Sequence, residues 1–201
     1  MNFRSEPTPA QPNSTPQVGE LGEQLVAKWL QTHNWAILYH RWRCRWGELD
    51  LIAYSGDGET QKILDKNSPH PRVSPFVNHL TPPTTPSPVL AFVEVKTRSA
   101  GNWDADGRLA ITPQKQAKLW QAAQLFLAEY PELAELPCQF DVALVNYQRV
   151  SSRPERHKNN LLTSPTAMDN TIPVQSVQLG EPILVAGYQL ILQDYIPAAF
   201  D

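Results

Sequence analysis

Two segments of the chain carry apolar residues at helical spacing. In residues 19–35 the apolar side chains fall on one half of a helical wheel, and Glu23 sits at the border with the polar half. In residues 111–130 an apolar stripe follows Thr112 and Pro113, which are typical of a helix N-cap and first turn. That stripe is formed by Leu119, Ala123, Phe126, Leu127 and Tyr130. The pattern therefore predicts two amphipathic helices, each with one buried face.

Five other segments have the character of β-strands. In residues 36–46 the type of side chain alternates along the chain, so that three arginines fall on one side of the strand and two tryptophans and a cysteine fall on the other. Residues 48–54 and 138–147 are apolar and rich in residues that favour strands. Residues 89–96 form a nearly continuous apolar run, which is typical of a central strand covered on both faces. Residues 182–200 are expected to complete the β-structure.

The remaining segments are polar and rich in Pro, Ser, Thr and Asn, so they cannot offset the entropy lost on ordering. We therefore expect a disordered tail at residues 1–17. A single domain should occupy residues 18–201, with flexible insertions at about 60–87 and 149–178. The predicted order of core elements, α-β-β-β-α-β, followed by the β-structure of residues 182–200, is that of an α/β domain around a mixed sheet.

Charge and cysteine content restrict the class of protein. The 201 residues have a net charge of -3, which excludes a strongly basic domain, so an anionic ligand would have to meet a local patch. Cys44 and Cys138 are too few for a disulfide framework or a metal knuckle, and we interpret them as reduced thiols. No apolar run approaches the length of a membrane span and no signal pattern opens the chain. A cytoplasmic protein without a membrane partner is expected.

The predicted central strand ends by placing an acid and a base on one face. Because side chains alternate along a strand, Glu94 and Lys96 share a face, as do Glu48 and Asp50 on the preceding strand. If these two strands pair as a hairpin, Asp50 and Glu94 converge at one end of the sheet, and Glu23 can join them from the first helix. Carboxylates gathered in this way repel one another unless a divalent cation such as Mg²⁺ or Mn²⁺ binds. The predicted metal ligands are therefore Asp50, Glu94 and Glu23, with Lys96 beside them to orient or deprotonate an attacking water.

Several motifs together resemble a known family. The "GEQLVAKWL" helix, the "GELD" strand, the "FVEVKTRS" strand and the terminal "YIPAAF" look like the YraN-like family. That family belongs to the restriction-endonuclease-like PD-(D/E)xK superfamily and is similar to archaeal Holliday-junction resolvases. The resemblance implies an αβββαβ core and a catalytic set in which the aspartate is Asp50, the (D/E)xK pair is Glu94 and Lys96, and the helix glutamate is Glu23. Lys115 matches a lysine at the start of the family's second helix.

Several of these residues also have a purely structural interpretation. Glu94 and Lys96 could form a solvated ion pair at a strand end, and Asp50 could be a hydrogen-bonded structural acid. Glu48 is expected to be a supporting or surface residue. Lys115 is either a supporting site residue or a lysine whose aliphatic stem covers apolar surface.

The arginines of the first strand have two interpretations as well. Arg41, Arg43 and Arg45 could bind the phosphates of DNA, because the guanidinium group pairs well with phosphate oxygens. They could instead protect an exposed edge strand from pairing with another chain. Glu23 is likewise either a site residue or an exposed acid of the helix.

Two functions from different classes are consistent with this pattern. The first is a Mg²⁺- or Mn²⁺-dependent endonuclease that acts on DNA, in branched or damaged structures, by attack of an activated water on a phosphodiester. The second is a non-catalytic protein that keeps the nuclease fold and binds nucleic acid or a protein partner. The oligomeric state stays open, and a homodimer is one of the arrangements that the sequence allows.

Overall fold

The computed structural model of the chain describes residues 17–56, 88–99, 111–150, 172 and 177–200. Within these residues the chain forms two α-helices, a short 3-10 helix at Pro131–Leu133 and six strands. The insertion expected at residues 60–87, nearly all of the expected tail and most of residues 149–178 lie outside the described residues.

The first predicted helix is confirmed as α1, Val18–Thr32. Its buried side consists of Leu21, Gly22, Leu25, Val26, Ala27 and Leu30. Gly22 is required by a close approach to the sheet, because a β-carbon at this position would lie only 2.0 Å from Oγ1 of Thr97. The glycine therefore lets the helix backbone approach the sheet and brings the neighbouring Glu23 close to it.

The second predicted helix is confirmed as α2, Pro113–Glu129. The side chain of Thr112 accepts a hydrogen bond from the backbone N–H of Lys115 at 3.3 Å, as expected of an N-cap residue. The fixed φ of Pro113 suits the first helical position. Leu119, Ala122, Ala123 and Phe126 face the core. This geometry fixes Lys115 in the first turn of α2.

The strands of the sheet are β1 (Trp35–Cys44), β2 (Gly47–Ser55), β3 (Val89–Ser99), β4 (Cys138–Arg149), β5 (Pro182–Val185) and β6 (Tyr188–Phe200). They form one six-stranded sheet in the order β1-β2-β3-β4-β6-β5. Strands β3 and β4 are parallel, and the other neighbouring pairs are antiparallel. The predicted mixed sheet is confirmed, and β3 has the predicted central position.

Each helix covers one face of the sheet and encloses its own core. The α1-side core joins the buried residues of α1 to Leu51, Ala53, Ala91 and Val93 of the sheet, and the α2-side core joins Phe126 to Ile52, Phe92 and Phe140. The αβββαβ order predicted from the sequence is confirmed, and a β5–β6 hairpin extends the sheet beyond β4. This architecture is consistent with a restriction-endonuclease-like α/β core.

Two residues from the second expected insertion are part of the core. Ile172 and Val177 are only 2% and 4% exposed, and both pack in the α1-side core. Both positions fall within residues 149–178, which were expected to form a flexible insertion, and most of that segment lies outside the described residues. Among the described residues, no helix is both long and apolar enough to cross a membrane.

Candidate functional site

The pairing of β2 with β3 stops before either strand ends. The last paired residues on that side are Leu51 and Val93. Beyond them, Oδ2 of Asp50 accepts a hydrogen bond from the backbone N–H of Val95 at 2.8 Å. A side-chain carboxylate thus takes a donor that a continued antiparallel ladder would give to a backbone carbonyl. We call this point, formed by Asp50, Glu94 and Lys96, the fork.

Glu94 is a buried acid held between two lysines. Its side chain is 5% exposed, and Oε1 lies 2.6 Å from Nζ of Lys96. Oε2 lies 3.0 Å from Nζ of Lys115. This second contact lacks the orientation of a hydrogen bond, so the buried Oε2 accepts none. The two lysine side chains are 23% and 37% exposed, so Glu94 is neutralised by cations that keep access to solvent.

Asp50 is close enough to Glu94 to be affected by its charge. Burial raises the pKa of Asp50 to about 7, and the negative charge of Glu94 contributes in the same direction. The hydrogen bond from Val95 and the ammonium group of Lys115 oppose this rise in pKa, while the charge of Glu23 adds to it. Asp50 therefore changes its charge near neutral pH.

A second ion-pair cluster connects α1 to β1 and β2. Arg41 binds Glu23 through two hydrogen bonds, from Nε to Oε2 at 2.6 Å and from Nη2 to Oε1 at 3.0 Å. Nε of Arg41 also lies 3.6 Å from Oε1 of Glu48, and Arg43 donates to Oε2 of Glu48 at 2.5 Å. The planar guanidinium group suits such paired contacts with a carboxylate. Glu48 is thus a supporting residue of this cluster.

The three arginines expected to bind phosphate have different surroundings. Arg41 is engaged by two carboxylates and its side chain is 32% exposed. Arg43 is 72% exposed, although it pairs with Glu48. The guanidinium carbon of Arg45 lies 5.4 Å from the centre of the Trp46 ring. Arg43 and Arg45 are open to a ligand, whereas Arg41 is occupied inside the protein.

The expected metal ligands are brought together in part. Asp50 and Glu94 lie at the fork, as the hairpin pattern predicted. Glu23 is near enough to raise the pKa of Asp50, but both of its oxygens are bonded to Arg41. Among the described residues, no three His, Cys, Asp or Glu side chains are gathered closely enough to hold a metal ion. Two carboxylates nevertheless fit Mg²⁺, which often binds through one or two carboxylates and keeps several waters.

One buried acid was not singled out in the sequence. Asp141 in β4 is 0% exposed and accepts hydrogen bonds from the Tyr195 hydroxyl at 2.5 Å and from the backbone N–H of Ala198 at 2.9 Å. The Gln139 amide donates to both of its oxygens, at 2.9 and 3.1 Å. The only signal in the sequence is an acid inside the apolar run "FDVALV". Asp141 is a structural acid with neutral partners.

Comparison with known proteins gives one consistent result. The model of the family described as "Uncharacterised protein family UPF0102" matches residues 22–145. The UPF0102 protein of Acaryochloris marina is 47% identical over 194 residues, which are 96% of this chain and 95% of that protein. Relatives in Trichodesmium erythraeum and Synechocystis are 44% and 36% identical, over 90% and 91% of this chain and 87% and 97% of their own lengths. The chain therefore belongs to the UPF0102, or YraN-like, family.

Proposed function

We propose that this protein is a metal-dependent endonuclease that cleaves DNA phosphodiester bonds, with branched or damaged DNA as its substrate class. The observation that carries this proposal is the fork. There Asp50 accepts a hydrogen bond from the N–H of Val95, and the neighbouring Glu94 is in contact with a lysine, Lys96. A set built only for stability would not need two carboxylates and a lysine at a strand end.

The donor atoms of the fork fit a hard divalent cation. Asp50 and Glu94 would hold Mg²⁺ or Mn²⁺ through carboxylate oxygens, and Oε2 of Glu94 is buried without a hydrogen bond. A cation bound there would lower the pKa of water and neutralise phosphate charge. Lys96 and Lys115 each contact one oxygen of Glu94, so the carboxylate is paired with ammonium groups before a cation binds. Both ammonium groups also reach solvent, where they can meet the oxygens of a phosphate.

The test is cleavage of radiolabelled linear, nicked, flap and four-way DNA with Mn²⁺, alongside calorimetry for Mn²⁺ binding. Glu94→Gln keeps the shape of the side chain but removes ligand charge, so metal affinity and cleavage should fall together. Lys96→Ala should spare metal binding and lower cleavage by about 10²–10³-fold, because the lysine acts on the attacking water and the transition state.

Two surface changes serve as matched controls for this test. Lys118→Ala removes an exposed lysine of α2, and Glu181→Gln neutralises an exposed acid before β5; both should leave cleavage unchanged. Cleavage at the wild-type rate by both Glu94→Gln and Lys96→Ala would assign the activity to a contaminant or to another site.

One observation favours the alternative, a non-catalytic protein that binds nucleic acid or a protein partner. The charges around the fork are balanced without a cation, because Glu94 contacts two lysines and Glu23 contacts Arg41. Such a balanced site can be stable on its own. If the wild-type protein binds DNA but cleaves none of the four substrates with Mn²⁺ or Mg²⁺, this alternative replaces the endonuclease.

A further inference from the structure

The register of β1 on β2 places Arg41 opposite Asp50. His40 pairs with Leu51 and Trp42 pairs with Leu49, so Arg41 and Asp50 are the residues that face each other between these two pairs. Arg41 has a φ of 50°, in the left-handed region that a residue with a β-carbon rarely adopts. Arg41, the strained residue of β1, therefore lies directly across from Asp50 of the fork.

Both strands change faces at this point. In a regular strand, residues three positions apart lie on opposite faces. Tyr39 and Trp42 of β1 nevertheless both pack in the α2-side core, and so do Leu49 and Ile52 of β2. Leu51, between the last two, belongs to the α1-side core. The regular alternation of side chains between the two faces of the sheet is thus interrupted in both strands. The interruption includes Arg41 in β1 and Asp50 in β2.

The side chain of Arg41 is anchored outside the sheet. Its guanidinium group makes two hydrogen bonds to Glu23 on α1, whose side chain is only 13% exposed. A strained backbone conformation persists when the surrounding structure holds it, and a partly buried, two-point ion pair does so. Asp50 does not continue the β2–β3 ladder and instead reaches the N–H of Val95.

From this geometry we infer that Arg41 is a positioning residue for the fork. Anchored on Glu23, it holds β1 in the conformation that releases the facing Asp50 from regular pairing and directs its carboxylate to Val95. Arg41 therefore acts through Asp50 instead of contacting DNA, and Glu23 serves as its anchor on α1. The consequence for cleavage rests on the proposed function, whereas the consequence for the Asp50–Val95 hydrogen bond does not.

The Val95 amide reports this arrangement directly. Asp50→Ala sets the reference, because it removes the acceptor of the Val95 N–H. In Arg41→Asn the side-chain anchor is lost, yet asparagine tolerates a left-handed φ. We expect the ¹⁵N–¹H signal of Val95 to move toward its position in Asp50→Ala, and its hydrogen exchange to accelerate by about tenfold relative to other β3 amides.

Two further variants separate positioning from general destabilisation. Glu23→Gln keeps Arg41 and the size of its partner but removes the charged anchor, so it should move the same amide in the same direction. Arg43→Asn removes a neighbouring arginine that pairs with Glu48, and it should leave the Val95 amide where it is in the wild type. Because Glu23→Gln changes no backbone preference, it keeps the test valid if Arg41→Asn fails to fold.

The outcomes distinguish this inference from the proposed function. A wild-type Val95 signal and exchange rate in Glu23→Gln, and in Arg41→Asn if it folds, would overturn the positioning role, whatever the cleavage assay shows. A selective change at Val95 supports the role even if the wild-type protein cleaves no DNA, and in that case only the endonuclease proposal fails. If the wild type does cleave, the Glu23→Gln variant should lose cleavage in proportion to its loss of the Val95 hydrogen bond.

Discussion

Glu94 and Asp141 are buried acids on the two parallel central strands, and they are neutralised in different ways. Asp141 is surrounded by neutral donors, a hydroxyl, a backbone amide and a side-chain amide, and it is fully buried. Glu94 is 5% exposed and contacts two ammonium groups that reach solvent. The first arrangement closes a site, whereas the second leaves it able to exchange its partners.

The difference follows from the elements that supply the partners. Tyr195 and Ala198 belong to β6, which pairs directly with β4, so the donors of Asp141 are fixed by the sheet itself. Lys115 comes from the first turn of α2, and Lys96 lies near the end of β3. Long side chains at the ends of elements can leave a carboxylate when a ligand arrives. This difference is the reason to test Glu94, and not Asp141, as a residue of the proposed site.

The largest expected effect on stability comes from an isosteric pair of changes. Asp141→Asn replaces one acceptor oxygen by a donor amide that faces other donors, and it should lower the free energy of unfolding by about 3 kcal/mol. Glu94→Gln should cost only about 1 kcal/mol, because Lys96 and Lys115 can turn to water. Urea denaturation at pH 7 measures both values. Equal losses would mean that the fork is as closed as the Asp141 site.

The next largest effect is a pH dependence of the free energy of unfolding, caused by Asp50 of the fork. The pKa of Asp50 is raised to about 7 in the folded protein, mainly by burial. The unfolded chain has the ordinary carboxyl pKa of about 4, so it releases this proton first and stability is lost as the pH rises from about 4 to 7. Asp50→Asn cannot ionise. Its free energy of unfolding should exceed that of the wild type by about 2 kcal/mol at pH 8, and the gap should shrink toward pH 4.5.

This pH prediction is measured by urea denaturation with a chelator present, at pH 4.5, 6 and 8. Subtracting the wild-type values from those of the variant removes the contribution of Asp141, whose pKa is also raised by burial. A gap that is constant with pH, or that grows toward low pH, would contradict the assigned direction of the Asp50 pKa.

The smallest expected effect concerns the surface beside the fork. If DNA approaches there, Arg43→Ala combined with Arg45→Ala should weaken binding to every DNA sequence alike. The slope of log K against log salt concentration should also become shallower by about one to two. Binding of two unrelated DNA sequences over a range of salt concentrations measures both effects. Arg149→Ala, at the C-terminal end of β4 and three strands away from β1, is the control and should leave the slope unchanged. An unchanged slope in the double variant would place the DNA elsewhere.

Much of the fold could be predicted because its signals are local. The helical spacing of apolar residues predicted α1 and α2, and the uninterrupted apolar run of β3 predicted its central position. The convergence of Asp50 and Glu94 followed from a period of two in a hairpin. The contact of Lys115 with Glu94 agrees with a site at the start of α2, although its functional role stays a prediction.

The parts that could not be predicted depend on departures from regular geometry or on distant pairing. Alternation along β1 predicted that Arg41 and Arg43 lie on the side opposite Trp42 and Cys44, and both arginines do contact Glu48. An arginine carries no signal for a left-handed φ, so the conformation of Arg41 and its pair with Glu23 were missed. Two of the three partners of Asp141, Tyr195 and Ala198, lie more than fifty residues away in β6. Ile172 and Val177 reach the core from a segment whose composition is mostly polar.

The close approach of Gly22 to Thr97 sets the position of the neighbouring charged residue, Glu23. A single methyl group at position 22 would meet Oγ1 of Thr97 at 2.0 Å and push the helix away from the sheet. The adjacent Glu23 would move with the helix, and its pair with Arg41 would lengthen or break. Genetic variation at this position would therefore act like a change of charge at the fork, although alanine and glycine are both uncharged. If the protein is the proposed endonuclease, a random mutagenesis screen for lost cleavage should recover Gly22→Ala together with changes to the acids themselves.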